Sequence, residues 1–177
     1  MAKTVINIIV TFLILLILQV TVFSHICLFN VAVPFVFLYA ILRLPMSLAP
    51  SWVMIIGFFS GLFIDIFTDT LGMNALASTV LSALRRPVLK MYVNRDDDIT
   101  SDAPSAKSLG GFTYAKYAFT LILAYCLVLF IVEASSFTGF SLTSMRIICS
   151  TVLSFVLILG IDSITGERQN DKKTPSL

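Results

Sequence analysis

Gly57-Phe-Phe-Ser-Gly61-Leu-Phe-Ile-Asp65-Ile-Phe-Thr-Asp69-Thr-Leu-Gly72-Met-Asn74-Ala-Leu-Ala77 interrupts a plain apolar run with glycines, acids and an amide. On a helix Gly57, Gly61 and Asp65 stand at i, i+4 and i+8, so two residues without side chains and one carboxylate share a face. Such a face suits a protein neighbour better than lipid. Asp65 lies about 14 residues into its apolar segment, which at ~1.5 Å per residue is roughly 21 Å into a ~30 Å hydrocarbon core. A carboxylate at that depth costs about 2.5–3.5 kcal/mol unless it is paired, capped or hydrated. Two readings stand: Asp65 meets a partner, or it accepts hydrogen bonds from Asn74, Thr68 or backbone amides and locks the third helix to the fourth.

Composition sets the class around this stretch. Hydrophobic residues make up 58% of the 177 and charged residues 12%, with a mean hydropathy of +0.97. Soluble domains are nearer half apolar and a quarter charged, so the chain reads as an integral membrane protein. A net charge of +2, scattered along the chain, gives no nucleic-acid footprint.

At about 20 apolar residues per crossing, six spans emerge: Val5 to Phe23, Leu28 to Leu42, Ser51 to Ile66, Leu71 to Leu84, Ala115 to Val132 and Met145 to Ile161. The second is short and holds Pro34; the fourth carries Asn74, Ser78, Thr79 and Ser82. Both read as helices shielded by neighbours. With the N-terminus inside, Lys3, Arg43, Arg85, Arg86, Lys90, Arg95, Lys107, Lys116, Arg168, Lys172 and Lys173 all fall on the cytoplasmic face and Arg146 outside. That asymmetry is what the positive-inside rule requires, and it predicts six transmembrane helices with both termini cytoplasmic. Val5 to Phe23 has no small-x-small cleavage site after it and is read as a retained span.

The expected organisation is one polytopic six-helix membrane domain over 1–166, with a cytoplasmic linker at about 94–113 and a short polar cytoplasmic tail over 167–177. Gln19 is expected to bond a neighbouring helix, and Pro34 to kink the second span or open its first turn. Gly72 can end or restart a helix at the turn. Ala75, Thr79 and Ala83 form a small-residue ridge able to receive the glycine face. Asp69 reads as a solvated end residue or a cap for the helix beginning near Leu71. Glu133 and Arg146 flank one external loop and can pair across it.

Chemistry-bearing patterns are few. His25 has no second histidine, cysteine or carboxylate at metal-ligand spacing, and Cys27, Cys126 and Cys149 form no C-x-x-C. They read as small apolar fillers, the latter two buried. The Asp96-Asp97-Asp98 run reads as solvated charge rather than a cation site. Phosphate-binding loops, nucleophile elbows and zinc-protease signatures do not occur. Two acids one turn apart on one helix, Asp65 and Asp69, do not face each other as an intramembrane acid pair would, so the chain is read as non-enzymatic, with no cofactor and no metal.

Leu18-Gln19, Pro34 followed by Leu38-Tyr39, Gly57-x-x-x-Gly61-x-x-x-Asp65, Leu71-Gly72 and Ala75-Leu76-Ala77, in that order, resemble the rod-shape-determining MreD family. The likeness covers roughly Leu15 to Tyr92; Arg85-Arg86-Pro87 and the acidic linker stand outside its pattern. The resemblance implies a compact all-α bundle similar to the six-helix substrate-binding subunits of energy-coupling-factor vitamin transporters. It also implies a non-enzymatic scaffold of the elongation machinery in the bacterial inner membrane, supporting lateral peptidoglycan synthesis and cell shape. The implied partners are the bitopic protein MreC, RodA with its penicillin-binding transpeptidase, indirectly MreB filaments, and membrane lipid. On this reading Gln19, Pro34, Gly57, Gly61, Asp65, Gly72 and Asn74 serve helix packing and partner binding, with Gly57, Gly61, Asp65, Gly72 and Asn74 shaping the surface or cavity that receives the MreC helix. The competing reading is a small-molecule-binding membrane subunit of a transporter. Such a subunit needs aromatic or polar groups around a pocket, whereas the external loops are short and Trp52 falls at the cytoplasmic interface.

Overall fold

The computed structural model describes residues 10, 12–23, 33–93, 104, 109–133 and 140–171. His25, Cys27, the Asp96-Asp97-Asp98 run and 172–177 of the tail lie outside these residues. Among the described residues every regular element is helical. We number them α1 (Phe12–Thr21), α2 (Leu38–Leu42), α3 (Pro50–Thr68), α4 (Met73–Tyr92), α5 (Gly111–Glu133) and α6 (Phe140–Asp171). Gln19–Phe23, at the end of α1, is wound as a π-helix. Among the described residues three helices are long and apolar enough to cross a membrane: α3, α5 and the Thr143–Ser163 part of α6. The described residues are therefore those of a helical membrane protein.

Local sequence explains where the helices begin and end. Pro50 opens α3, where its fixed φ suits a helix and its missing N–H costs nothing. The α3–α4 turn needs two left-handed residues, Asp69 at φ 54° and Gly72 at φ 77°, which a glycine adopts without strain. α4 then runs eight residues beyond the expected Leu84 and takes in Arg85, Arg86 and Pro87. At 20 residues it is about 30 Å long. Its polar side chains keep it outside the set of plainly apolar spans, yet Asn74, Ser78, Ser82 and Arg85 are buried, so that polarity faces protein. α6 continues to Asp171, past position 167, at which the polar tail was expected to begin.

The expected second span differs most from its reading. Its described part is helical over 38–42 alone, while 33–35 lack regular structure. Pro34 has no N–H to give, and the residue ahead of a proline is disfavoured in the α region. This segment belongs to the core: Val36, Leu38, Ile41 and Leu42 are fully buried in the same apolar cluster as Tyr117, Leu121 and Tyr125 of α5 and Ile158 of α6. Phe35 and Phe37 set their rings edge-on to Tyr125, with centroids 5.1 and 5.8 Å away. Irregular backbone at membrane depth is tolerated only inside such a protein envelope.

Candidate functional site

The glycine face of α3 is filled by α4 of the same chain. A Cβ at Gly57 would stand 2.9 Å from the Ser78 carbonyl oxygen, and one at Gly61 would stand 2.5 Å from the Ala75 Cα. The ridge that occupies this face is thus Asn74, Ala75, Ser78 and Ser82, sharing Ala75 with the expected one. Close approach brings the backbones into contact, and the Ser78 hydroxyl donates to the Gly57 carbonyl at 2.7 Å.

Asp65, one turn further on, is 3% exposed. Its Oδ1 accepts from the Asn74 backbone N–H at 3.1 Å, from Asn74 Nδ2 at 2.9 Å and from the Thr70 hydroxyl at 2.5 Å. Its Oδ2 accepts from the Ala75 N–H at 2.8 Å. Gly72, the residue ahead of α4, has no side chain to cap with, so Asp65 satisfies the open N–H groups from the preceding helix and places negative charge at the positive end of α4. Asn74 extends the network, accepting from the Tyr125 hydroxyl of α5 at 2.6 Å. Asp69 is exposed and serves as the left-handed end of α3.

Gln19 and Pro34 meet as a second junction. The Gln19 carboxamide donates to the Pro34 carbonyl at 2.9 Å and accepts from the Val36 N–H at 2.8 Å. Ser154 accepts from the Phe35 N–H at 2.9 Å and Ser150 from the Val33 N–H at 3.1 Å. Three side chains on α1 and α6 thereby meet the backbone groups that an unbroken helix would have paired internally. The π-wound end of α1 is where Gln19 sits, a deviation that often marks a specialised position.

Two adjacent arginines hold the other end of this segment. Arg85, 1% exposed, donates Nη2 to the carbonyls of Leu42, at 3.1 Å, and Leu44, and Nε to the Tyr117 hydroxyl at 3.2 Å. Arg86 donates Nη2 to the Met46 and Leu48 carbonyls at 2.9 and 2.7 Å. Alternate carbonyls of the α2–α3 connection are thus taken in turn by neighbouring guanidinium groups. Beside them Arg43 lies 3.8 Å from Asp162, and the Tyr39 hydroxyl bridges the two at 2.8 and 3.3 Å.

Ser150, Ser154, Asp162 and Tyr125 escaped the sequence reading, while Arg85 was read there as a topological charge alone and Tyr39 only as part of the family resemblance. One signal existed: Ser150, Ser154 and Asp162 share a face of α6 at spacings of four and eight. Glu133 and Arg146 form a rim pair at 3.2 Å, both 43% exposed. Cys126 is buried and Cys149 partly so.

The outward side of α3 has a different character. Trp52, Ile55, Phe59, Phe63 and Ile66 are exposed and fall at i, i+3, i+7, i+11 and i+14, a straight stripe of about 21 Å. On α1 Leu13, Ile14 and Ile17 are also exposed. Between the helices lies an open groove of about 410 Å³, lined by apolar side chains with Ser60 the one polar residue. The Ser60 hydroxyl is turned back onto the Ile56 carbonyl. Among the described residues no three His, Cys, Asp or Glu side chains cluster to hold a metal. No protein-family model, curated protein or solved structure matches the chain.

Proposed function

We propose that the chain is a non-enzymatic scaffold of the bacterial elongation machinery, seated in the inner membrane, which binds an MreC-like bitopic protein and through it supports lateral wall synthesis by RodA and its transpeptidase. The observation that carries this reading is the trough between α1 and α3. Its apolar walls and helical-period stripe suit the side of one more transmembrane helix. The inward polar groups support the same reading, because Asp65, Asn74, Gln19 and Arg85 are engaged in holding the bundle together. The partner surface moves accordingly from the glycine face, which α4 fills, to the opposite side of α3.

In this proposal the chain crosses six times with both termini cytoplasmic, in a bundle similar to the energy-coupling-factor substrate subunits. α4 crosses beside α3 because its polar side is sheltered, and the clamped segment around α2 completes a crossing inside the protein envelope. The test is affinity purification of the tagged chain from native membranes in mild detergent, followed by mass spectrometry. Recovery of an MreC-like bitopic protein with the elongation synthases is the expected result. Recovery of an ATPase pair with a coupling subunit would replace the scaffold by a substrate-capture protein.

A further inference from the structure

Antiparallel packing of α5 and α6 sets a register that brings two buried polar groups to one level. Arg146 faces Glu133 at 3.2 Å where α5 ends, and further along the Phe119 and Phe155 rings meet with centroids 5.4 Å apart. Five residues back along α5 from Phe119 stands Tyr114, and seven residues on along α6 from Phe155 stands Asp162. At ~1.5 Å per residue both lie about 7–11 Å beyond that ring contact, at the same end of the bundle. Both are buried, Tyr114 completely. Among the titratable groups around the Tyr114 hydroxyl, Asp162 acts on it most strongly, followed by Tyr39 and Arg43.

The buried tyrosine hydroxyls of α5 differ in what they meet. Tyr125 donates to Asn74 at 2.6 Å and Tyr117 accepts from Arg85 at 3.2 Å, whereas among the described residues the Tyr114 hydroxyl has no protein partner. A hydroxyl buried in that way gives up its hydration without return. Ordered water satisfies such a group where other polar atoms surround it. Here they do: Arg43 lies 3.8 Å from Asp162, and the Tyr39 hydroxyl donates to Asp162 at 3.3 Å while accepting from Arg43 at 2.8 Å. The charges of Arg43 and Asp162 offset each other, so the site suits a neutral ligand rather than an ion. A carboxylate accepts about four bonds, and the Arg43 side chain, 16% exposed, joins the cluster to the surface.

We propose that one water molecule is bound between Tyr114 and Asp162, accepting from the phenol and donating to the carboxylate. Through it the Arg43–Asp162 pair is joined to the contact between the Tyr114 and Tyr117 rings, whose centroids are 6.4 Å apart, and so to the Arg85 clamp on the α2–α3 connection. One water thereby couples α2, α5 and α6 at this end of the bundle. The site is independent of the scaffold reading. The test exposes the full chain in detergent micelles to a brief pulse of X-ray-generated hydroxyl radicals and maps oxidised side chains by mass spectrometry, because radicals born from a bound water mark the residue beside it. Tyr114 should be oxidised while Tyr125, equally buried but bonded to protein, stays unmodified. Thermal unfolding of Tyr114→Phe in the same detergent gives the second readout: its midpoint should fall below that of the wild type, since the variant cuts the bridge to Asp162. Oxidation of Tyr114 no greater than that of Tyr125 overturns the proposal. A Tyr114→Phe midpoint equal to or above that of the wild type, as removal of an unpaired hydroxyl would give, overturns it as well.

Discussion

Adding one methyl group at Gly61 should separate α3 from α4, and the structure sets the size of the effect. In Gly61→Ala the new Cβ would meet the Ala75 Cα at 2.5 Å, against an ordinary carbon contact of about 3.5–4.0 Å. A backbone atom cannot rotate away, so the helices must part by about 1 Å locally. That shift stretches the Asp65 bonds to Asn74 Nδ2 and Ala75 N, now 2.9 and 2.8 Å, beyond hydrogen-bond range. Overpacking costs about 1–3 kcal/mol, and weakening a charge-assisted bond adds about 1.5 kcal/mol or more. Alanine's better helix propensity returns about 1 kcal/mol, leaving a net loss on the order of 2–4 kcal/mol. Gly160→Ala is the internal control: it lies in α6 with nothing within 4 Å of its Cβ, so it should gain up to about 1 kcal/mol. Thermal unfolding of both variants in one mild detergent, followed by fluorescence-detected size exclusion, reads the two signs. Equal midpoints for Gly61→Ala and the wild type would refute the close contact between the helices.

Asp65→Leu should lose about 3 kcal/mol or more, because it strands the N–H groups of Asn74 and Ala75 at a buried helix start; Asp69→Asn, on the exposed turn, should stay within about 0.5 kcal/mol. The same unfolding assay checks both. Gln19→Leu should cost about 2–4 kcal/mol by leaving the Val36 N–H and Pro34 carbonyl unpaired, and Ser154→Ala about 1–3 kcal/mol through the Phe35 N–H. Hydrogen exchange should report faster exchange at Phe35 and Val36 in these two variants, and unchanged rates there would dismiss the clamp. Glu133→Gln removes a half-exposed pair and should shift stability by about 0.5 kcal/mol or less.

Hydropathy made the membrane class readable, since α3, α5 and α6 each present a long apolar run that needs no tertiary context. The glycine face and Asp65 were also conspicuous, because small residues and a carboxylate at helical spacing have few uses inside a bilayer. What that face meets was less legible, since Ser78 and Ser82 differ little in sequence from Thr79 and Ala83, and only the rotation of α4 chooses between them. The segment around Pro34 was harder still. Its broken backbone depends on Ser150 and Ser154, more than a hundred residues away, and such contacts leave no periodic mark near the proline. Arg85 was read as a topological charge just past a span. Its burial follows from the carbonyls of Leu42 and Leu44, which no local pattern announces.

The central claim is that the trough between α1 and α3 seats a partner's transmembrane helix. Photo-crosslinking in native membranes tests it most directly, with a photoreactive amino acid placed singly at Phe59 and Phe63 and, as controls, at Val152 and Val156 on the exposed side of α6. The account predicts that Phe59 and Phe63 capture a bitopic protein identified by mass spectrometry as MreC-like, while the α6 positions do not. Capture of that protein equally from α6, or of lipid alone from α3, would contradict it.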